Sequence, residues 1–222
     1  MKAFLFLAIS ILSIPMHSFL DAQEVTTWRT VVVFGDSITE GNMLPADQRS
    51  RVWVHLVEEQ SQGRLHLINE GKGGRPTNSV KEFKAALQRD PQMNILVLAL
   101  GMNDSRDIRD DCVPKAVKNI QEMIDLARTA HEKLPILIIG PSNIRKDALK
   151  ASQPVAAQRD EKLRQLGAAF QNLATQNGCD FLSLYGVVPE SSLGMDGVHP
   201  DGAGNEIIAQ AILPKILASA GK

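Results

Sequence analysis

The run Ile95-Leu96-Val97-Leu98-Ala99-Leu100 carries no polar residue at any position. A strand with one wet face alternates apolar and polar residues. A run that is apolar throughout reads as a strand buried on both faces, which needs a layer of structure above it and another below. Shorter apolar, β-branched runs occur at 30–34, 65–69, 135–139 and 180–184. Between the runs lie stretches with helical spacing. Trp53, Leu56 and Val57 share one face, as do Val117, Ile120, Ile124 and Ala127, and Leu163, Leu166, Phe170 and Leu173. A last helix is predicted over 203–217, carrying Ile207, Ala211 and Ile212, with a kink expected at Pro214. Strand and helix in regular alternation predict a parallel sheet with helices on both faces, joined by right-handed crossovers. The fold class expected is therefore α/β, a three-layer α/β/α sandwich. Residues 23–222 read as one such domain, without an internal repeat or linker.

Residues 1–22 read as an export signal. Lys2 supplies a short positive region, 3–14 is almost continuously apolar, and Pro15 ends the run. A membrane span needs about 20 apolar residues, and this stretch is shorter. Cleavage is expected after Ala22, with Ser18 as the alternative, and an uncleaved N-terminal anchor is the competing reading. No later segment reads as a membrane span, so the mature chain is expected to be periplasmic or extracellular. With 24 Lys and Arg against 25 Asp and Glu, and no long basic run, nucleic acid is excluded as the main partner. Two cysteines are too few for a disulfide scaffold or a four-cysteine zinc site. Cys112 follows the third strand and Cys179 precedes the fifth, at opposite edges of a sheet about 15–20 Å deep. A disulfide needs Cα atoms within about 7 Å, so no bond is expected between them.

Ligands of open α/β sheets bind outside the carboxyl ends of the strands, and four of those ends carry unusual residues. After the first strand comes Gly35-Asp36-Ser37-Ile38-Thr39-Glu40. Ser37 reads either as a helix N-cap with Glu40 closing a capping box, or as a nucleophile on a tight turn into a helix whose N-terminus favours negative charge. Asp36 is expected only to hold the turn. After the second strand comes Asn69-Glu70-Gly71-Lys72-Gly73-Gly74, either a plain glycine loop or one whose Gly74 N–H approaches a ligand. After the third comes Gly101-Met102-Asn103-Asp104, in which the Asn103 amide is either a turn cap or a donor to an oxyanion. After the fifth comes Asp196-Gly197-Val198-His199, followed by Asp201 as the expected N-cap of the last helix. His199 is the single histidine at a predicted carboxyl-end loop. Ester cleavage needs a nucleophile, a base that titrates near neutrality (an unperturbed imidazole does so at about 6.5), a group to orient that base, and donors for the oxyanion. Ser37, His199, Asp196 and the donors fill those roles jointly.

These four blocks resemble the SGNH hydrolases, also called GDSL-type esterases and lipases. Gly35-Asp36-Ser37-Ile38 stands for the first block, with Ile in place of the usual Leu, Gly74 for the second, Gly101-x-Asn103-Asp104 for the third and Asp196-x-x-His199 for the last. The resemblance spans nearly the whole mature chain. It implies a five-stranded, flavodoxin-like parallel sheet of order 2-1-3-4-5. It also implies an oxyanion hole built from the Ser37 N–H, the Gly74 N–H and the Asn103 amide, with Gly73 as the alternative donor in the second block. Ester or thioester hydrolysis without metal or cofactor follows from it, and Arg51-Val52-Trp53 resembles the arylesterase and acetylesterase branch. The polar stretch 141–154, with Arg145, Lys146, Asp147 and Lys150, is expected to form one wall of the substrate site or else a solvated loop. It favours a short acyl group, acetyl on a sugar or aryl alcohol, as the small-molecule or carbohydrate ester substrate. Lysophospholipase or thioesterase action on longer chains, or a non-catalytic carbohydrate-binding role, are the alternatives.

Overall fold

A computed structural model describes residues 28–149 and 155–221. The expected export signal at 1–22, and Lys150 with the rest of 150–154, lie outside the described residues. Five strands form one parallel sheet: β1 (Arg29–Gly35), β2 (Leu65–Gly71), β3 (Ile95–Ala99), β4 (Ile136–Gly140) and β5 (Asp180–Ser183), in the order β2-β1-β3-β4-β5. The expected order and class hold, and each predicted strand overlaps its observed counterpart.

The helices are a single turn α1 (Ser37–Glu40), then α2 (Trp53–Gln60), α3 (Val80–Arg89), α4 (Cys112–Ala130), α5 (Ala156–Gln176) and α6 (Gly202–Ala220). Successive residues of β1 point to opposite faces. Val31 and Val33 pack with Trp53, Val54 and Val57 of α2 and with Ile208, Ile212 and Ile216 of α6. Val32 and Phe34 pack with Phe83 of α3, with Ile120 and Ile124 of α4, and with Leu166 and Phe170 of α5. Leu96, Val97 and Leu98 of β3 are completely buried between those two layers, as their unbroken apolar run requires. Each such side chain contributes about 1.5–3 kcal/mol through burial.

The helices differ from expectation in detail. α6 is a single helix from Gly202 to Ala220 that contains Pro214. Its inward face is Ile208, Ala209, Ile212 and Ile216, whereas Ile207 and Ala211 are only half-buried. α3 was not visible as an apolar face, because Phe83 and Ala86 are its two buried residues. Cys112 opens α4 and Cys179 precedes β5, and both thiols are free, as the separation of the sheet edges predicts. No helix among the described residues is long and apolar enough to cross a membrane.

Candidate active site

β1 lies between β2 and β3. The crossover leaving β1 packs α2 on one face of the sheet, and the next packs α3 on the other. Chain direction thus parts at the carboxyl end of β1, the place where an open sheet leaves a crevice. Ser37 is there.

The N-cap of α1 is Asp36 and not Ser37: Ile38 N–H donates to Asp36 Oδ1 at 3.0 Å. The cap interpretation of Ser37 therefore fails, and its hydroxyl is left for other work. Because α1 is a single turn, it offers individual N–H groups and no extended helix dipole. Burial pushes the Asp36 carboxyl up to about 7; the nearby Asp104 charge adds to this, while the Ile38 N–H and the Arg75 guanidinium oppose it. Asp36 thus holds the turn, as expected.

Ser37 Oγ lies 2.8 Å from His199 Nε2, across 162 residues of sequence. His199 Nδ1 lies 2.5 Å from Asp196 Oδ2. Partial burial raises the affinity of the Asp196 carboxyl for a proton. The His199 ring and the N–H groups of Val198 and His199, at 2.9 and 3.0 Å from Oδ1, outweigh that and hold it below the usual carboxylate range. An ionised carboxylate can only accept, so Nδ1 carries the imidazole proton and Nε2 is the acceptor for the Ser37 hydroxyl. The imidazole side chain is 18% exposed, so the pair is reachable from solvent. The turn carrying it needs glycine: Gly197 has φ +70°, and a Cβ there would lie 2.5 Å from Arg145 O.

The segment that opens with Pro141 departs from the solvated loop considered above. Pro141 to Ile144 are buried. Asn143 donates to Val188 O at 3.1 Å and accepts from Gly186 N–H at 3.1 Å. Arg145 N–H donates to Gly197 O at 2.8 Å, and its guanidinium donates to Leu193 O and Gly194 O. This segment is a bracket for the Asp196–His199 turn. Lys146 faces Asp160 at 3.5 Å, and Asp147 is exposed.

The expected donors lie in the loops after β2 and β3. Gly74 has φ +73°, with open space where a Cβ would point. Gly73 instead lies against the Glu40 carboxylate, its Cβ position 3.1 Å from Oε2, so Gly74 has the freer approach. Asn103 precedes a 3-10 turn, and its Nδ2 donates to Arg75 O at 3.1 Å, which leaves a second amide hydrogen for a ligand. Asp104 beside it accepts from Thr77 N–H and from Thr77 Oγ at 2.5 Å, tying the β3 loop to the glycine loop. Arg159, buried in α5, donates to Ser105 Oγ at 3.0 Å and holds the same loop from below. Burial lowers its guanidinium to about 10. Neither Arg75 nor Arg159 was singled out from sequence. The one available signal was an arginine inside a glycine loop. Among the described residues, no group of His, Cys, Asp or Glu is arranged to hold a metal ion.

A match to the GDSL-like lipase/acylhydrolase family covers residues 33–207. The chain is 25% identical over 197 residues to a GDSL lipase of Mycobacterium tuberculosis, spanning 84% of this chain and 80% of that protein. Among solved structures, a carbohydrate acetylesterase family member from Sinorhizobium meliloti superposes with a TM-score of 0.74 at 24% identity, over 87% of this chain and 100% of the other. The aryl esterase of M. smegmatis superposes with a TM-score of 0.75 at 17% identity, over 86% and 99%.

Proposed function

We propose that this chain, which belongs to the GDSL-like lipase/acylhydrolase family, is a serine esterase that cleaves carboxylic esters through an acyl-serine intermediate. The observation that carries this reading is the continuous Ser37–His199–Asp196 hydrogen-bonded path. Ser37 Oγ attacks the ester carbonyl carbon while its proton passes to His199 Nε2. The carbonyl π pair moves to the oxygen, which is held by the Ser37 and Gly74 N–H groups and the Asn103 amide. When the oxyanion collapses, the C–O bond to the alcohol breaks and Nε2–H protonates the leaving oxygen. Water then adds to the acyl-serine, giving its proton to Nε2, and the second collapse releases the acid and returns the proton to Ser37. Asp196 keeps Nδ1 protonated throughout and stabilises the imidazolium.

Short acyl groups, acetyl above all, are the favoured substrates. The space that touches both Ser37 and His199 is lined by Ile38, Met43, Leu44 and Pro200 and measures only about 10 Å³. Sites for drug-sized ligands run to roughly 300–1,000 Å³. The alcohol is favoured to be polar or aromatic. Past Asn103 opens a groove of about 310 Å³ lined by Asp104, Asp107, Arg109 and Asn119, whose mixed charges and amides suit hydroxyl-rich ligands. A second reading, lysophospholipase or thioesterase action, rests on Met43 and Met195, which stand 58% and 94% exposed next to the site and would suit a longer chain. The carbohydrate-binding role without chemistry has no use for an ionised Asp196 aimed at His199.

A p-nitrophenyl ester series from acetate to palmitate tests both readings. The expected result is a maximum at two to four carbons, abolished in Ser37→Ala. A maximum at long chains would move the assignment to the second reading. Hydrolysis that survives Ser37→Ala would remove the first altogether.

A further inference from the structure

The guanidinium of Arg75 sits inside the protein, with 6% of its side chain exposed, at the point where the ends of β1 and β2 meet α3. Its Nη1 donates to Gly35 O at 2.8 Å and also to Glu70 O. Its Nε and Nη2 both reach Glu82 Oε2, at 3.2 and 3.1 Å. The plane lies over the Phe34 ring, 4.0 Å from its centroid. The backbone of the same residue accepts the Asn103 amide. We propose that Arg75 is a positioning residue of the oxyanion hole, fixing all three donors at once; the inference rests on the esterase reading given above.

Each donor is joined to this residue by a short covalent or hydrogen-bonded path. Gly35 O, held by Arg75 and also by Lys72 N–H at 3.1 Å, sets the direction of the peptide that leads through Asp36 to the Ser37 N–H. Gly74 N–H belongs to the residue immediately before Arg75, whose own N–H is tied back to Lys72 O at 3.2 Å. Asn103 spends one amide hydrogen on Arg75 O, which aims the other. A guanidinium suits this task because it presents five donors in a rigid plane. A lysine would supply the charge without the fork. Gly74, with positive φ and no side chain to pack, has little else to hold it. The cost of burying the cation is met by Glu82, by the two carbonyls and by the aromatic face of Phe34. Arg75 touches neither substrate nor reacting atoms in this scheme. Its effect is confined to the transition state, where the oxyanion exists.

The test is steady-state hydrolysis of p-nitrophenyl acetate by Arg75→Met, Arg75→Lys and Glu82→Gln, with folding checked by circular dichroism and melting temperature. The inference predicts kcat lower by roughly 10–10²-fold in Arg75→Met, as for a donor displaced by about 1 Å, with KM changed less than about threefold. Arg75→Lys stays impaired although the charge is restored. Glu82→Gln, which leaves the buried arginine in place and loosens its anchor, loses kcat by a smaller factor and decides the matter if the arginine variants do not fold. Arg89→Met, which removes only the exposed pair between Arg89 and the Glu70 carboxylate on the outer side of β2, keeps the parental kcat. Folded Arg75 variants with parental kcat, or with a raised KM alone, would overturn the inference, as would full rescue by lysine. If the parental protein does not hydrolyse the ester, or Ser37→Ala still does, it is the esterase reading that fails.

Discussion

The two halves of the active site are held in different ways. Around Ser37 the support is buried and distant in sequence. Asp36 and Thr39 are 4% and 1% exposed, and Gly35 O receives the Lys72 N–H and the Arg75 guanidinium from a separate strand end. Around His199 the support is local and wetter. Asp196 bonds the ring, the N–H of Val198 and the N–H of His199, all within three residues, with its own side chain 37% exposed. The arm from Arg145 ties that turn from outside. The nucleophile side is thus set by packing, and the acid–base side by a short turn that keeps a proton on the correct nitrogen. Damage to the first should appear in geometry and stability, and damage to the second in proton transfer.

The sharpest division comes from Asp196→Asn. The amide oxygen can still hold the turn, but the carboxylate that keeps Nδ1 protonated is gone, so kcat should fall about 10⁴-fold with little loss of stability. A large drop in melting temperature instead would show that the turn is not locally sufficient.

The counterpart on the buried side is Asp36→Asn, read by urea unfolding at pH 4 and pH 8. The folded Asp36 keeps its proton to about 7, against 3.8 for the unperturbed side chain of the unfolded state. Raising the pH through that interval ionises the unfolded chain first and so destabilises the native one, by up to about 4 kcal/mol. The asparagine lacks this slope. The variant should gain on the parent by about that amount between the two pH values, and a difference that is constant with pH would refute the assignment.

Smaller effects sharpen the contrast further. Asn103→Ala removes one donor and should cost roughly 10²–10³-fold in kcat while the Ser37–His199 contact persists, as probed by crystallography or by the shift of the His199 ring protons. Gly197→Ala forces a side chain into a positive-φ position against Arg145 O and should cost about 1–3 kcal/mol, measured as a lowered unfolding midpoint.

What the sequence disclosed follows the same division. Asp196-x-x-His199 was legible because its contacts are local, and the sheet was legible because periodicity and the unbroken β3 run report burial directly. The order of its strands came from the family resemblance. The bracket from Asn143 and Arg145 was not legible. Its polar residues read as a substrate wall or a solvated loop, whereas Asn143 and Arg145 satisfy carbonyls and N–H groups of a segment some 40–50 residues later. Arg75 escaped notice for the same reason, since Gly35, Glu70 and Glu82 come from β1, β2 and α3 and only the fold brings them together. Ser37 was ambiguous between cap and nucleophile until Asp36 proved to be the cap.

The most direct test of the whole account is the reaction of the purified protein with a fluorophosphonate, followed by peptide mass spectrometry. One adduct per chain, on Ser37, is predicted, formed far more slowly in His199→Ala and absent in Ser37→Ala. An unlabelled protein that still hydrolyses esters, or an adduct on a different residue, would contradict it.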